Sequence, residues 1–371
     1  MKKKAFRKWF IHSIAIASLL MLTACGKDHA SNTPEKEEAQ KETTDTAEQN
    51  KKYSLSVGYL KANGAPLADI AIHEGFFEKE NLDVEMVPFN ASTDGVNALQ
   101  SNKIDVGLTF GTTTPLAFIA QGADLDIIGG HMEGGHPIYV PEKDKDQYQT
   151  FEDYKGKVIG TVRLSVPDIV FRTALENAGL DLAKDVEIIE FKTMANLIEA
   201  AAAGKVDVAF ASTGFLTKAQ QSGLTPVAWS NDVQPGHVCC RVVTRGDISD
   251  EQTTAYKKFL KGLIQAERVK LETPEKALET SRDRFNLDDA TVNEIVNEEH
   301  LINSADPHKH QVEQLWEQMK NLGYVKNVEN VDLNEHFNLT FYEEALTELI
   351  EENPTDDYYQ KVLERYNQQN L

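Results

Sequence analysis

Short runs of β-branched and large apolar residues alternate along the middle of the chain with stretches in which apolar positions recur at helical spacing. The short runs predict strands around Val57-Gly58 and within residues 83–89 and 102–108, then again around Ile159-Gly160 and within 185–191 and 204–210. Between them, Leu67, Ile70, Ala71 and Phe77 mark one helix, and Val170, Phe171, Ala174, Leu175 and Ala178 mark another. The two sets are one pattern repeated. Sliding the chain against itself by 102 residues lays Val57-Gly58 on Ile159-Gly160, residues 83–89 on 185–191, and 102–108 on 204–210. Chance rarely keeps one offset across three separate segments. Strands alternating with helices predict a largely parallel sheet covered on both faces, so the pattern predicts two similar α/β lobes.

The ends of the chain read differently. Beyond about Asp250, Ala255, Phe259, Leu263 and Ala266 recur at helical spacing, as do Val312, Leu315, Trp316 and Met319, predicting amphipathic helices docked on the first lobe. Residues 358–371 are more polar and are expected to fray. At the other end, Lys2, Lys3, Lys4, Arg7 and Lys8 precede an apolar run from Ile14 to Leu22 that is short for a membrane span. The run closes on Leu22-Thr23-Ala24-Cys25, which resembles a bacterial lipobox; that resemblance implies removal of residues 1–24 and acylation of Cys25. Residues 25–52, rich in Glu, Lys, Thr, Asn and Asp, then form a solvated tether without a core of their own.

Charge narrows the function. The formal net charge is −21, and loss of the signal takes five positive charges away from it. Binding to nucleic acid or anionic lipid through a general basic patch is therefore disfavoured. No further stretch is long and apolar enough to cross a bilayer, so a transport pore would have to be a separate chain. About 320 residues follow the tether, enough for two lobes.

In parallel α/β sheets, ligands sit beyond the carboxyl ends of the strands, on loops that open helices. Four loops answer that description: Asn63 within 61–66; Thr109, Gly111, Thr112 and Thr113 ahead of Pro115; Arg163 and Ser165 ahead of Pro167; and Ser212 and Thr213 ahead of Gly214. Their hydroxyls are suited to capping. As a set facing one another across a cleft they form a candidate ligand site.

The stretch Ala71-Ile72-His73-Glu74-Gly75-Phe76-Phe77-Glu78-Lys79-Glu80-Asn81-Leu82-Asp83-Val84-Glu85 resembles the opening signature of the nitrate, sulfonate, taurine and pyrimidine-precursor binding proteins of ABC importers. Asn102-Lys103-Ile104-Asp105-Val106-Gly107 and Tyr154-Lys155-Gly156-Lys157-Val158-Ile159-Gly160 match its further signatures, in the same order. The resemblance implies a type 2 periplasmic-binding-protein fold, two Rossmann-like lobes with a cleft and a two-crossing hinge. It also implies a small-molecule ligand, a permease and an ATPase as partners, and an extracytoplasmic position held to the membrane by the lipid. A monomer without cofactor is expected. The domains would be a signal over 1–24, a tether over 25–52, a first lobe over 53–137, a second over 138–236, and a return to the first lobe with terminal helices over 237–371. The crossings are expected within 136–140 and 237–243.

Unusual side chains gather at these crossings. The first carries His131, Glu133 and His136; the second reads Pro235-Gly236-His237-Val238-Cys239-Cys240-Arg241. On a regular strand His237, Cys239 and Arg241 share one face and Cys240 takes the other. Adjacent residues have Cα atoms about 3.8 Å apart, below the roughly 4.4 Å of a relaxed disulfide, so Cys239 and Cys240 are free thiols, a strained pair, or small buried residues. The leading expectation is that the histidines hydrogen-bond the ligand while Arg163 or Arg241 meets a carboxylate, sulfonate or phosphate group. The alternative is a soft-metal site of His131, His136, His237 and Cys239. Tyr59, Phe110, Phe215 and Trp229 stand at strand ends as core residues or as stacking platforms for a flat ring. The fold is shared with fungal pyrimidine-precursor synthases, of whose cysteine-rich motif this chain has Cys239-Cys240. Without a nucleophile elbow, phosphate loop or dinucleotide fingerprint, the chain reads as a binding protein and not an enzyme. A sensor lipoprotein is the remaining alternative.

Overall fold

The computed structural model describes residues 51–284 and 289–371. The signal, Cys25 and all but the last two residues of the tether lie outside the described residues.

Strand β1 (Tyr53–Leu60) buries Tyr53, Leu55 and Val57 on alternate positions, as its pattern predicts. Helix α1 (Pro66–His73) opens on a proline in its first turn. It ends before Gly75, whose left-handed φ of 70° breaks the predicted continuation, so Phe77 sits in a separate turn, α2 (Phe76–Lys79). The first unit continues as β2 (Leu82–Phe89), α3 (Ser92–Gln100), β3 (Val106–Gly107), α4 (Thr113–Ile119) and β4 (Leu125–Gly134). The second comprises β5 (Pro137–Pro141), β6 (Val158–Val162), α5 (Val166–Asn177), β7 (Glu187–Phe191), α6 (Met194–Ala202), β8 (Val208–Phe210), α7 (Leu216–Gln221), β9 (Leu224–Trp229) and α8 (Ser230–Val233). The chain then adds β10 (Val238–Arg245), α9 (Asp250–Glu272), α10 (Pro274–Arg284), α11 (Asp289–Asn297), β11 (Leu301–Ile302), α12 (Lys309–Asn321), α13 (Thr340–Glu352) and α14 (Asp357–Asn370).

Two mixed sheets result, ordered β11-β4-β10-β3-β1-β2 and β7-β6-β8-β5-β9. The repeat survives down to single hydrogen bonds. Val57 pairs with Val106 and Gly58 with Val87 in the first sheet; 102 residues on, Ile159 pairs with Val208 and Gly160 with Ile189 in the second. Asp105 accepts the Ser56 N–H at 2.9 Å, and its counterpart Asp207 accepts the Val158 N–H at 2.8 Å. Both repeat glycines are needed for close packing. A Cβ on Gly58 would lie 2.5 Å from Ile104 Cδ1, and one on Gly160 2.5 Å from Leu197 Cδ1.

The chain leaves the first sheet after Gly134 and enters the second at Pro137; it leaves the second after Trp229 and re-enters the first at Val238. Residues 238–243 thus lie within strand β10, and the second crossing, expected within 237–243, falls between Trp229 and Val238. The long helix α9 lays Phe259, Leu263 and Ala266 in one core with Leu55, Val57 and Leu67, while Val312, Leu315, Trp316 and Met319 of α12 pack with Val96, Leu99 and Leu116. Both helices cover the first sheet, as their patterns predict. The expected fraying of residues 358–371 is not found. Helix α14 buries Tyr359, Val362 and Tyr366 in a helical stripe, and its last residue, Asn370, is buried with its amide donating to Asp306 at 2.7 Å.

Candidate functional site

A small cavity of about 40 Å³ lies between the two sheets. Ala62 and Asn63 line it from the loop after β1, Met132 from β4 and His136 from the first crossing. The opposite wall is Ser212 and Thr213, from the loop after β8, and Cys239 and Leu301 complete the lining. Of the residues singled out in the sequence, the fold therefore brings Asn63, His136, Ser212, Thr213 and Cys239 together. Met132 and Leu301 were not among them.

Other singled-out residues stand behind this lining and shape it. Thr109 accepts the Leu60 N–H through its hydroxyl at 2.9 Å, and its carbonyl accepts the Asn63 amide at 3.2 Å, so two loops of the first lobe are tied together. Thr112 was expected to cap α4; instead its hydroxyl donates to the Cys239 carbonyl at 3.0 Å. Thr113 donates to the Leu164 carbonyl at 2.6 Å, bridging from the first lobe to the second. Gly111 occupies a left-handed φ of 76° that lets the loop turn. Ser165 caps α5 by accepting the Asp168 N–H at 3.4 Å. The Thr213 hydroxyl donates to the Gly135 carbonyl, closing the second loop on the first crossing.

A residue outside the expected set completes the bridge. Glu294 of α11 accepts the backbone N–H groups of Gly214 at 2.8 Å, Leu216 at 2.5 Å and Thr217 at 3.0 Å. Its carboxylate thus holds the segment that follows Thr213, at the opening of α7. No sequence signal links two stretches some eighty residues apart, so the contact was illegible before folding.

Both candidate arginines are committed elsewhere. Arg241 is fully buried and donates to the carbonyls of Met132 at 2.7 Å, Asp306 at 2.7 Å, Pro307 at 3.1 Å and Cys240 at 2.9 Å. Its guanidinium also lies 3.4 Å from Glu133, whose other contact is His308 Nδ1 at 3.2 Å. Burial pushes the Glu133 carboxyl up, but the His308 hydrogen bond and the Arg241 charge outweigh it and hold it below its usual range. Arg163 is largely exposed, bonded to Glu190 at 3.1 Å and laid over the Tyr324 ring. Neither arginine lines the cleft.

The three histidines are buried and uncharged. Burial lowers His131 to about 3, with the charges of Arg241 and Lys270 adding to the effect. It also lowers His136 well below its ordinary value, helped by His237, and takes His237 to about 4 despite a hydrogen bond between Nδ1 and the Gln234 carbonyl at 2.9 Å. Neither ring nitrogen of His131 or His136, nor Nε2 of His237, finds a partner among the described residues. The rings of His136 and His237 lie 5.4 Å apart.

Strand β10 is bulged where alternation was assumed. Val238 pairs with Glu133 and Cys240 with Met132, then Arg241 with Gly130, so His237, Cys239 and Arg241 do not share a regular face. Cys239 and Cys240 are both buried free thiols with their sulfurs 3.5 Å apart. The hydrogen bond between them and burial push Cys239 up. Cys240 is lowered by accepting from Cys239 and by the Gly111 N–H, the Arg241 charge and the Asn63 amide. Among the described residues no three His, Cys, Asp or Glu side chains converge as metal ligands, so the alternative site of His131, His136, His237 and Cys239 is not assembled. Two of the proposed aromatic platforms are occupied too. Phe110 is core against Phe89, and Trp229 stacks on His300 with ring centroids 3.9 Å apart.

Two α/β lobes, crossed twice by the chain with a cleft between them, define the periplasmic-binding-protein fold. The chain shares it with the nitrate-binding protein NrtA of Synechocystis PCC 6803, at a TM-score of 0.66 and 14% identity over 81% of this chain and 89% of that one. The aliphatic sulphonate binding protein SsuA of Escherichia coli gives 0.64 and 20% over 77% and 92%. A zinc-bound ligand-binding component of an ABC-type import system from Staphylococcus aureus gives 0.65 and 15% over 79% and 99%. The sequence model of the NMT1/THI5-like family matches residues 67–277, and the chain belongs to that family. A protein of Brucella abortus (strain 2308), named as a candidate binding protein, is 24% identical over 244 residues, 64% of this chain and 73% of its own length. YtlA of Bacillus subtilis (strain 168), named in the same way, is 28% identical over 142 residues, 38% of this chain and 42% of its own length.

Proposed function

We propose that this protein is the solute-binding component of an ABC importer: it captures a small molecule in the interlobe cleft and hands it to a permease served by an ATPase. The observation that carries this reading is a cleft whose walls come from both sheets, beside the two crossings. Solute contacts from Asn63 and Cys239 on one side and from Ser212 and Thr213 on the other coexist only when the lobes are closed. Binding therefore shifts the population towards closure. In this reading the lobes are residues 53–137 with 237–371, and 138–236, and the crossings are the hinge. The names of the relatives and fold neighbours support a binding role without catalysis. The basic and apolar N-terminus ending at Cys25 supports export and a lipid anchor on the outer face of the cell membrane, from which a monomer would serve the importer.

Small-angle scattering on the soluble form from residue 51 onward, stripped of solute and then reloaded with a cell extract, tests the reading. Loading is expected to compact the particle. Glu294→Ala, which removes the acceptor of three N–H groups, is expected to favour the open state and weaken retention by roughly tenfold, for a loss on the order of 1–3 kcal/mol. An unchanged scattering profile under saturating solute would overturn the hinge.

A further inference from the structure

The cleft is built without the means to neutralise an anion. A desolvated oxyanion needs an opposite charge or a cluster of free N–H donors, because burying it unpaired costs far more than a binding site can recover. None of the residues lining the cleft carries a charge. Arg241 spends its donors on four carbonyls, and Arg163 pairs with Glu190 away from the lining. His136 is almost wholly buried beside His237, and burial keeps both neutral.

Three backbone donors just past the lining are taken as well. The N–H groups of Gly214, Leu216 and Thr217 already face the Glu294 carboxylate, a built-in anion one residue past Thr213. A second anion there would meet repulsion in place of a donor cluster. What the cleft offers instead is a neutral imidazole with one donor and one acceptor nitrogen, both unpartnered in His136, together with the Ser212 hydroxyl, the side-chain carbonyl of Asn63 and the Cys239 thiol. Met132 and Leu301 add polarisable and apolar surface.

We propose that the solute is an uncharged polar molecule, bearing no carboxylate, phosphate, sulfonate or nitrate group, that exchanges hydrogen bonds with His136 and packs against Cys239 and Met132. The inference rests on the solute-binding reading above and adds a selectivity that the nitrate- and sulphonate-binding fold neighbours do not share by name. Glu294 acts in it as a positioning residue that also closes the cleft to anions.

The test is native mass spectrometry of the soluble protein, stripped and incubated with a whole-cell metabolite extract, joined to titration calorimetry with sodium nitrate and ethanesulfonate at pH 7.5. The expected result is a bound mass whose identified species is uncharged at that pH, with no heat of binding from either anion at millimolar concentration. His136→Ala and the milder Asn63→Ala are each expected to weaken retention of that species at least tenfold. A bound oxyanion, or saturable binding of nitrate or ethanesulfonate, would overturn the inference and leave the solute-binding function standing. So would an uncharged solute whose retention neither variant changes. A protein that retains nothing from the extract would overturn the function itself.

Discussion

The two repeated units solve one packing problem in opposite ways. In the first, Gly58, Gly95 and Gly107 clear a space that the Phe110 ring fills; a Cβ on Gly95 would fall 2.2 Å from that ring. In the second, the residue 102 positions after Gly95 is Leu197, whose side chain reaches over Gly160 and does the filling from the helix. Phe110 is thereby replaced by Ser212, which is free to line the cleft. One swap of bulk between helix and loop turns a core position into a ligand-facing one. The scaffold is duplicated, and the difference between the copies is where solute chemistry enters.

The sharpest test of the asymmetry uses the two arginines. Arg241→Met strips a guanidinium from four carbonyls and leaves Glu133 buried with less compensation, so a loss of about 3–5 kcal/mol is expected in urea unfolding. Arg163→Met, at an exposed pair in the second unit, is expected to cost under about 1 kcal/mol. Equal losses would break the comparison.

Acid gives the next largest effect. His131 and His237 are lowered to about 3 and about 4 in the folded protein and His136 well below its ordinary value, whereas the unfolded chain protonates near 6.5. Between those limits the unfolded state binds more protons. The stability associated with neutral burial is therefore complete above pH 6.5 and is lost as pH falls towards 4. Each histidine is expected to cost on the order of 2 kcal/mol by pH 5, and His131→Phe should flatten the curve of unfolding free energy against pH. A curve that the variant leaves unchanged would place the acid sensitivity elsewhere.

The smallest effect probes the swap itself. Gly95→Ala is expected to destabilise by about 1–3 kcal/mol through overpacking against Phe110, and Phe110→Leu in the same chain should return part of that loss. Additive losses in the double variant would show that the two residues do not share the space.

The repeat was legible because parallel strands demand β-branched runs, and one offset carried strands, helices and even the Asp105 and Asp207 bonds together. Of the four loops expected to face one another, two contribute lining residues, Asn63 and Ser212 with Thr213, since strand ends and helix openings have recognisable residues. What those residues do was not legible. A threonine in a loop reads as a cap, yet Thr112 and Thr113 spend their hydroxyls on the carbonyls of Cys239 and Leu164, partners known only after folding. Arginine shows its charge in a sequence but not its acceptors, and those of Arg241, one of the two arginines expected to meet the ligand, include four carbonyls. The bulge at Cys239 escaped for the same reason, because strand pairing is a property of two segments. In α14 the polar composition suggested fraying, because neither the partners of Tyr359, Val362 and Tyr366 nor the Asp306 that holds Asn370 can be read from the segment itself.

The placement of β10 between β4 and β3 bears on how the chain is born. A polypeptide made from its amino end can finish the second sheet once residue 229 has emerged, since all five of its strands lie between 137 and 229. The first sheet, begun earlier, must wait for β10 and β11, and the face holding Leu55, Val57 and Leu67 stays bare until α9 and α13 arrive. The younger half matures first, and the older half waits with sticky surface exposed, a hazard for any nascent chain.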